Sequence, residues 1–224
     1  MGWLSRALNS SIGKKFLMAV TGVCLLLFLI IHLINNLTLY GGPNLFNTVV
    51  KNLETFKPFV RVIEVILVII FVLHIFNGFR LWLENRKARP VNYKVNASSK
   101  NSDIYSRTMF VSGSIIFIFL VIHLRTFWVS FNLGHPLAES HNYYQIVVES
   151  FQSPIYSGLY IVALVLLGFH LNHGFQSAFQ TFGWNHKKYF PVIEKLGLIY
   201  TIIMTLGFIS IPIYFLFFYG GSIW

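Results

Sequence analysis

Five long apolar runs dominate the sequence, and they set the fold class. They lie near residues 16–39, 60–83, 109–133, 155–179 and 192–218. Each is long enough to cross the hydrocarbon core of a bilayer, which takes about 20 helical residues. Strands of a membrane barrel would be shorter and would alternate polar with apolar residues, which these runs do not do. The sequence therefore predicts an all-α integral membrane protein with five transmembrane helices in a single domain over residues 1–224.

Composition and charge narrow the possible functions. Apolar residues make up 55% of the chain and charged residues only 11%, whereas about a quarter of a typical globular domain is charged. Cys24 is the only cysteine, which excludes both a disulfide framework and an iron–sulfur cluster on this chain. The net charge of +10 would suit a nucleic-acid partner. However, the basic residues fall in the short segments between the apolar runs, which membrane topology explains better.

The distribution of those basic residues predicts the direction of the chain. With the N-terminus inside, 13 of the 17 Lys and Arg residues fall in inner segments. The four in outer segments are Lys51, Lys57, Arg61 and Arg125. Because Lys and Arg concentrate on the cytoplasmic side of membrane proteins, we expect the N-terminus inside and the C-terminus outside.

Four of the five runs carry one histidine each: His32, His74, His123 and His170. A histidine inside a span is costly and usually functional, although a lone one often only bonds a neighbouring helix. Helix rise places His32 and His123 about 25 Å from the inner boundary, toward the outer face. His74 and His170 lie late in spans that run the opposite way, so we expect them toward the inner face. Two pairs at matched depths suit two haem irons, each held by two axial imidazoles.

The residues that flank the histidines repeat between the two halves of the chain. In spans one and three, a hydroxyl residue followed by glycine precedes His-Leu with nine residues between. In spans two and four, the histidine begins a His-x-x-x-Gly sequence. Such a parallel repeat relates the two hairpins by a pseudo-twofold axis along the membrane normal. Small residues also let helices pack closely, but a fixed spacing to histidine in both halves indicates room for a flat macrocycle. The glycines are Gly22, Gly78, Gly113 and Gly174.

The predicted ligation favours electron transfer. Two axial imidazoles leave the iron no open position for oxygen or substrate. We assign His32 with His123 to an outer haem b, and His74 with His170 to an inner haem b.

These residues resemble the dihaem cytochrome b membrane anchor of succinate dehydrogenases and fumarate reductases, the succinate:quinone oxidoreductases. The resemblance covers nearly the whole chain: one histidine in each of four spans, the repeated His-x-x-x-Gly, the haem-free fifth span and the segment 174–184. It implies an FAD-containing flavoprotein subunit and an iron–sulfur subunit docked on the inner face. It also implies electron transfer to a quinone, commonly menaquinone in two-haem members.

The same resemblance implies a place in the cell and a division of labour. The expected location is the bacterial cytoplasmic membrane, as part of the respiratory chain and the tricarboxylic acid cycle. A dimer of such heterotrimers is one assembly that it allows. Succinate chemistry would belong to another chain, so this subunit alone should lack dehydrogenase activity.

Further polar residues could take part in quinone chemistry or haem binding, and others lie in the segments between the spans. Glu64 lies ten residues before His74 and could exchange protons with a quinone, or could simply pair with Arg61. Arg125 could contact a quinone or haem propionates, or could be an ordinary boundary arginine. His173 competes with His170 as a ligand, but the repeat favours His170. Segments 41–59 and 132–154 are long enough for short interfacial helices, and segment 87–103 is a polar inner loop. The loop histidines, which we expect to be exposed, are His135, His141 and His186.

Other functions are also compatible with five spans that carry four histidines. Another quinone-linked complex, such as a nitrate reductase or hydrogenase, also has an anchor cytochrome b of about five spans. Those anchors typically carry two histidines on one helix, whereas no span here has two at separated depths. A haem-free transporter could use the histidines as a proton relay, but a relay would string them through successive depths. A purely structural anchor leaves four intramembrane histidines unexplained.

Overall fold

The computed structural model describes residues 2–87 and 104–220, and the predicted inner loop 87–103 lies almost entirely outside these ranges. Five continuous helical stretches in the described chain, some of them made of more than one helix, are long and apolar enough to cross a membrane. They cover Ser11–Thr55, Lys57–Lys87, Thr108–Asn132, Pro154–Thr181 and Phe190–Phe218. The predicted all-helical membrane fold with five spans is therefore confirmed.

Nine α-helices of four or more residues make up most of the described structure, and the three-residue helix Ser130–Asn132 is a tenth. Their bounds are α1 Trp3–Asn9, α2 Ser11–Leu37, α3 Gly42–Thr55, α4 Lys57–Lys87, α5 Ile104–His123, α6 Pro136–Glu139, α7 Tyr143–Phe151, α8 Pro154–Thr181 and α9 Phe190–Ile213. A 3₁₀ turn, Thr38–Gly41, joins α2 to α3. Two π-helical turns, Leu124–Val129 and Tyr214–Phe218, continue α5 and α9.

The helices run beyond the predicted apolar runs. Helix α2 begins at Ser11, where the Ser10 hydroxyl accepts a hydrogen bond from the Gly13 N–H at 3.0 Å and caps the first turn. Helix α4 continues through charged residues to Lys87. An apolar run marks only the lipid-covered part of a helix, because backbone hydrogen bonding continues into the polar interface.

Helix α4 shows how the apolar surface is used. Large aliphatic side chains along it are half-exposed or more, as in Val62, Val65 and Val68. Water would make so long an apolar face an aggregation hazard, whereas lipid tails solvate it. This exposure is what a membrane span requires.

The chain divides into two compact units, each of which gathers segments from several helices. The first comprises Met1–Phe28, Glu64–Gly113 and Phe169–Thr201. The second comprises Leu29–Ile63, Ser114–Gly168 and Ile202–Trp224. The first unit therefore contains His74 and His170, and the second contains His32 and His123.

The first unit is tied together by polar contacts at one end of its helices. The Lys14 ammonium is buried, and it contacts both carboxylate oxygens of Glu84, at 2.6 and 2.7 Å. Arg80 binds the same carboxylate at 3.2 Å. The Asn77 amide donates to the Lys14 carbonyl oxygen at 2.6 Å. A buried ammonium needs such a partner, because its desolvation would otherwise cost several kcal/mol.

The second unit contains a dense core built around α7. Six of the nine residues of α7 are buried, including Tyr143, Tyr144 and Phe151. Against them pack Phe46 from α3 and Phe215 from the π-helical end of α9. Helices do occupy the segments 41–59 and 132–154. Helix α7 lies in the core of this unit, because its apolar residues cover more than one face.

Candidate functional site

The four intramembrane histidines face one another in two pairs. In the first unit, the ring centroids of His74 and His170 are 6.4 Å apart, with an interplanar angle of 65°. In the second unit, the ring centroids of His32 and His123 are 5.7 Å apart, at 84°. These are the two pairs that we predicted from helix rise and from the sequence repeat.

Two hydroxyl groups hold the rings of the first pair. Thr21 Oγ1 lies 3.1 Å from His74 Nδ1, and Ser112 Oγ lies 3.4 Å from His170 Nδ1. Both hydroxyls also donate to their own helix, Thr21 to the Leu17 carbonyl and Ser112 to that of Met109. A hydroxyl whose hydrogen is used in this way can only accept from Nδ1–H. The protonated nitrogen is then Nδ1, which leaves the Nε2 lone pair available.

Glycines lie against the same two rings. A Cβ added at Gly22 would sit 3.6 Å from His74 Cε1, and one at Gly113 would sit 3.5 Å from His170 Cε1. A Cβ at Gly78 would touch only the flexible end of Met18, at 3.4 Å, and one at Gly174 would meet open space. The structure thus places Gly22 and Gly113 beside the imidazoles, and it leaves space near Gly174.

In the second pair, His123 is held by a phenol. Its Nδ1 is 3.2 Å from the Tyr160 hydroxyl, and that hydroxyl is 2.9 Å from the hydroxyl of Tyr156. Tyr156 also hydrogen-bonds the side chain of Thr126. Three hydrogen bonds, through the side chains of Tyr160 and Tyr156, therefore connect the imidazole of His123 to Thr126, which lines a surface cleft.

Aromatic rings surround the second pair on several sides. His32 lies 5.7 Å from the ring of Phe208, and His123 lies 5.8 Å from Phe119 and 5.4 Å from Phe127. The Asn36 amide donates to the backbone carbonyl of His32 at 2.7 Å. The rings thus sit in apolar surroundings that can enclose a flat, hydrophobic ligand.

A π-helical turn begins immediately after His123 and forms one wall of the cleft. The turn Leu124–Val129 carries Arg125 and Thr126, and the cleft has a volume of about 310 Å³. Its other polar lining residues include His135 and Glu149. We predicted that His135 would be exposed, but it is half-buried. It caps the start of α6, where its Nδ1 accepts a hydrogen bond from the Leu137 N–H. Single π-turns inside α-helices are frequent at functional sites.

Comparison with known proteins decides the family. The sequence matches the succinate dehydrogenase/fumarate reductase transmembrane subunit family over residues 16–98 and 85–211. The chain belongs to this family. No curated protein and no solved structure matches it significantly. The chain is therefore a membrane subunit of a succinate dehydrogenase/fumarate reductase type of complex.

The remaining predicted residues of this membrane subunit are less closely grouped. Arg125 is exposed at the cleft, whereas Glu64 is half-buried in the first unit, on α4. Arg61, the alternative partner considered for Glu64, donates to Asn132 Oδ1 at 2.7 Å. His173 is half-buried one turn after His170 on α8. His141 and His186 are exposed, as expected.

The phenols of Tyr160 and Tyr156 are not among the site residues predicted for this transmembrane subunit. Tyr160 is ten residues before His170, which is the spacing of Glu64 to His74 in the first half of the chain. The repeat therefore contains a signal at this position: a side chain with hydrogen-bonding capacity in both halves. Tyr156, one turn earlier on α8, leaves no comparable signal in the sequence, because tyrosines near span ends are common.

Proposed function

We propose that this subunit is a dihaem cytochrome b, in which His32 with His123 and His74 with His170 each bind one haem b. Its role is to pass electrons between the iron–sulfur subunit of its complex and a membrane quinone. When bound, each haem supplies reversible one-electron transfer. The observation that carries the proposal is the pairing of four intramembrane imidazoles, two by two.

The spacing of the rings supports this assignment. With metal–nitrogen bonds of about 2 Å and ring centres roughly 1 Å behind the nitrogens, two imidazoles on one iron have centroids about 6 Å apart. The centroid distances of 6.4 and 5.7 Å in the two pairs bracket that value. Within residues 2–87 and 104–220, no three His, Cys, Asp or Glu side chains form a site for a bare metal ion. One imidazole nitrogen from each histidine of a pair would supply the two protein ligands of a haem that has no open site.

The hydrogen bonds of the rings indicate which ring nitrogen is left to bind a metal. A metal-bound histidine normally donates its other ring N–H to a nearby acceptor, which fixes the tautomer and the ring orientation. Thr21, Ser112 and Tyr160 are placed to accept from Nδ1 of three of the four histidines. Nε2 is therefore the ligating atom that we propose for these three.

Charge and family membership support the proposed partners. The segments assigned to the inner side carry 13 of the 17 basic residues, and they could dock acidic surfaces of soluble subunits. The matching family describes membrane subunits of succinate dehydrogenase and fumarate reductase. We propose that a flavoprotein and an iron–sulfur subunit bind this side, in a bacterial cytoplasmic membrane, and that the quinone is menaquinone.

We place the quinone chemistry near Arg125. The cleft that it lines contains a guanidinium, an imidazole and a carboxylate, which can bind a quinone oxygen and deliver protons. Glu64 is the second proton-exchange candidate. Arg125→Ala should reduce succinate:quinone activity in the complex while succinate oxidation with a soluble acceptor stays unchanged. Lys57→Ala, an exposed cation of the preceding outer segment, is the matched control.

The first test is haem quantitation with a reduced-minus-oxidised spectrum of the purified subunit or complex. The expected result is two haems b per chain, both low-spin. A haem-free protein from a haem-sufficient host would overturn the proposal and would favour the alternative of a histidine proton relay. A single haem would mean that one of the two pairs has another role.

A further inference from the structure

Tyr160 places a polar group where packing alone would not need one. Its side chain is only 4% exposed, and it packs against Phe119 at 4.8 Å and Phe151 at 5.0 Å, measured between ring centroids. A phenylalanine would fill this space equally well. A buried hydroxyl without a hydrogen-bond partner destabilises the fold. The hydroxyl has two partners, His123 Nδ1 and the hydroxyl of Tyr156.

Metal binding by His123 would fix the direction of its hydrogen bond with Tyr160. An imidazole that binds metal through Nε2 carries its proton on Nδ1, so Nδ1 can only donate. The oxygen of Tyr160 must then accept at the observed 3.2 Å. An acceptor at this position increases the electron donation of the imidazole to the metal and stabilises the more oxidised iron.

We infer that Tyr160 is a positioning residue for His123, which it holds in the Nδ1–H tautomer, and that it lowers the midpoint potential of the haem bound by His32 and His123. Tyr156 supports it by fixing the phenol. The inference rests on the haem assignment proposed above and adds to it a residue that does not touch the metal.

The two units differ in how they perform this task. Thr21 and Ser112 accept from the other pair as aliphatic hydroxyls, each bonded to the backbone of its own helix. Tyr160 accepts as a phenol that is bonded to a second phenol. Substituting Tyr160 should therefore affect one haem and leave the other unchanged, and this selectivity makes the inference testable.

The experiment is a redox titration of both haems in the assembled complex, with electron paramagnetic resonance of the oxidised protein. Tyr160→Phe keeps the ring and removes the oxygen. The expected result is two haems per chain and an upward shift in the midpoint potential of one component, with an altered low-spin signal. That component should be the one missing in His123→Ala. Tyr156→Phe should shift the same component less, in the same direction.

Phe151→Leu is the matched control, because it alters the packing of Tyr160 without touching a hydroxyl. Unshifted potentials in Tyr160→Phe, with both haems present, would overturn the inference and leave the haem assignment intact. An equal shift in Phe151→Leu would also overturn it, since packing alone would then explain the effect. Retention of both haems in His123→Ala would instead contradict the proposed ligands.

Discussion

The His74–His170 pair and the His32–His123 pair come from one sequence repeat, yet their surroundings differ. Around the first pair, Thr21 and Ser112 accept from the rings, and Gly22 and Gly113 lie beside them. Around the second pair, His123 bonds a buried phenol inside an aromatic cluster that α7 covers.

The difference arises in the connections between the spans. Helix α3 joins α2 to α4, and α7 occupies the equivalent place between α5 and α8. Phe46 is the only buried residue of α3, whereas most of α7 is buried. A repeat can therefore fix which histidines face each other while its connecting segments determine the environment of one pair.

We expect the largest effect from replacing one of the four paired histidines, because the haem that is lost should depend on the pair. His74→Ala or His170→Ala should eliminate one of the two proposed haems, because only one imidazole would remain to hold it. His32→Ala and His123→Ala should eliminate the other, and a redox titration identifies which component is lost. His173→Ala, one turn from His170, should retain both. If His74→Ala and His123→Ala removed the same component, our pairing would be wrong.

A core substitution should weaken the second unit strongly. Phe151→Ala removes a buried ring from the aromatic cluster, and such changes typically cost about 3–5 kcal/mol. The haem that we propose for the His32–His123 pair should then be lost at lower temperature than the other, as followed by absorbance during thermal unfolding in detergent. Phe217→Ala, at a side chain that is 71% exposed, should leave the melting curve unchanged.

Enlarging a glycine should affect the first unit instead. Gly22→Ala and Gly113→Ala introduce only ordinary contacts with His74 and His170, at 3.6 and 3.5 Å, and should be tolerated. Gly22→Leu and Gly113→Leu must displace the imidazole, and overpacking of this kind costs about 1–3 kcal/mol. Haem content per chain measures the effect. Equal haem content in Gly113→Leu and in Gly158→Leu, whose added Cβ meets nothing within 4 Å, would refute this steric role.

Alkaline pH should destabilise the second unit through Tyr143. Burial, with the Glu54 carboxylate nearby, raises the pKa of Tyr143 above its ordinary value near 10. Because the unfolded chain loses this proton first, the stabilisation is complete below pH 10 and declines above it, by about 1.4 kcal/mol per pH unit. Unfolding free energy measured from pH 9 to 11 should fall less steeply in Tyr143→Phe. Identical slopes would exclude this contribution.

The smallest effect concerns the two hydroxyls of the first pair. Thr21→Val and Ser112→Ala each remove the hydrogen bond to a ring together with the bond of the hydroxyl to its own helix. One such hydrogen bond contributes of the order of 1 kcal/mol. The shorter bond belongs to Thr21, at 3.1 Å compared with 3.4 Å, so Thr21→Val should shift the midpoint potential of this haem more. Neither variant should change the haem of His123. A shift in both components would show that the hydroxyls act through general packing.

Much of the candidate site was predictable because helix rise is regular. The spacing of Gly22 to His32 and of Gly113 to His123 gives the depth of both glycines, and the structure finds them beside the other two histidines. Tyr160 was not predicted, although its equivalence to Glu64 in the repeat was readable. The π-helical turn after His123 leaves no signal in the sequence either, since no proline or glycine occurs in Leu124–Val129.

The sequence by itself determined the five spans and the pairing of the four histidines, because hydropathy and helix rise act locally along the chain. The tertiary structure alone decided which hydroxyls hold the rings, how α7 enters the core and where Arg125 meets a cleft. Lipid tails are as apolar as leucine, so hydrophobicity does not mark the face of a span that packs against its neighbours. The contacts of each histidine depend on helix rotation, which is fixed only when the helices are assembled.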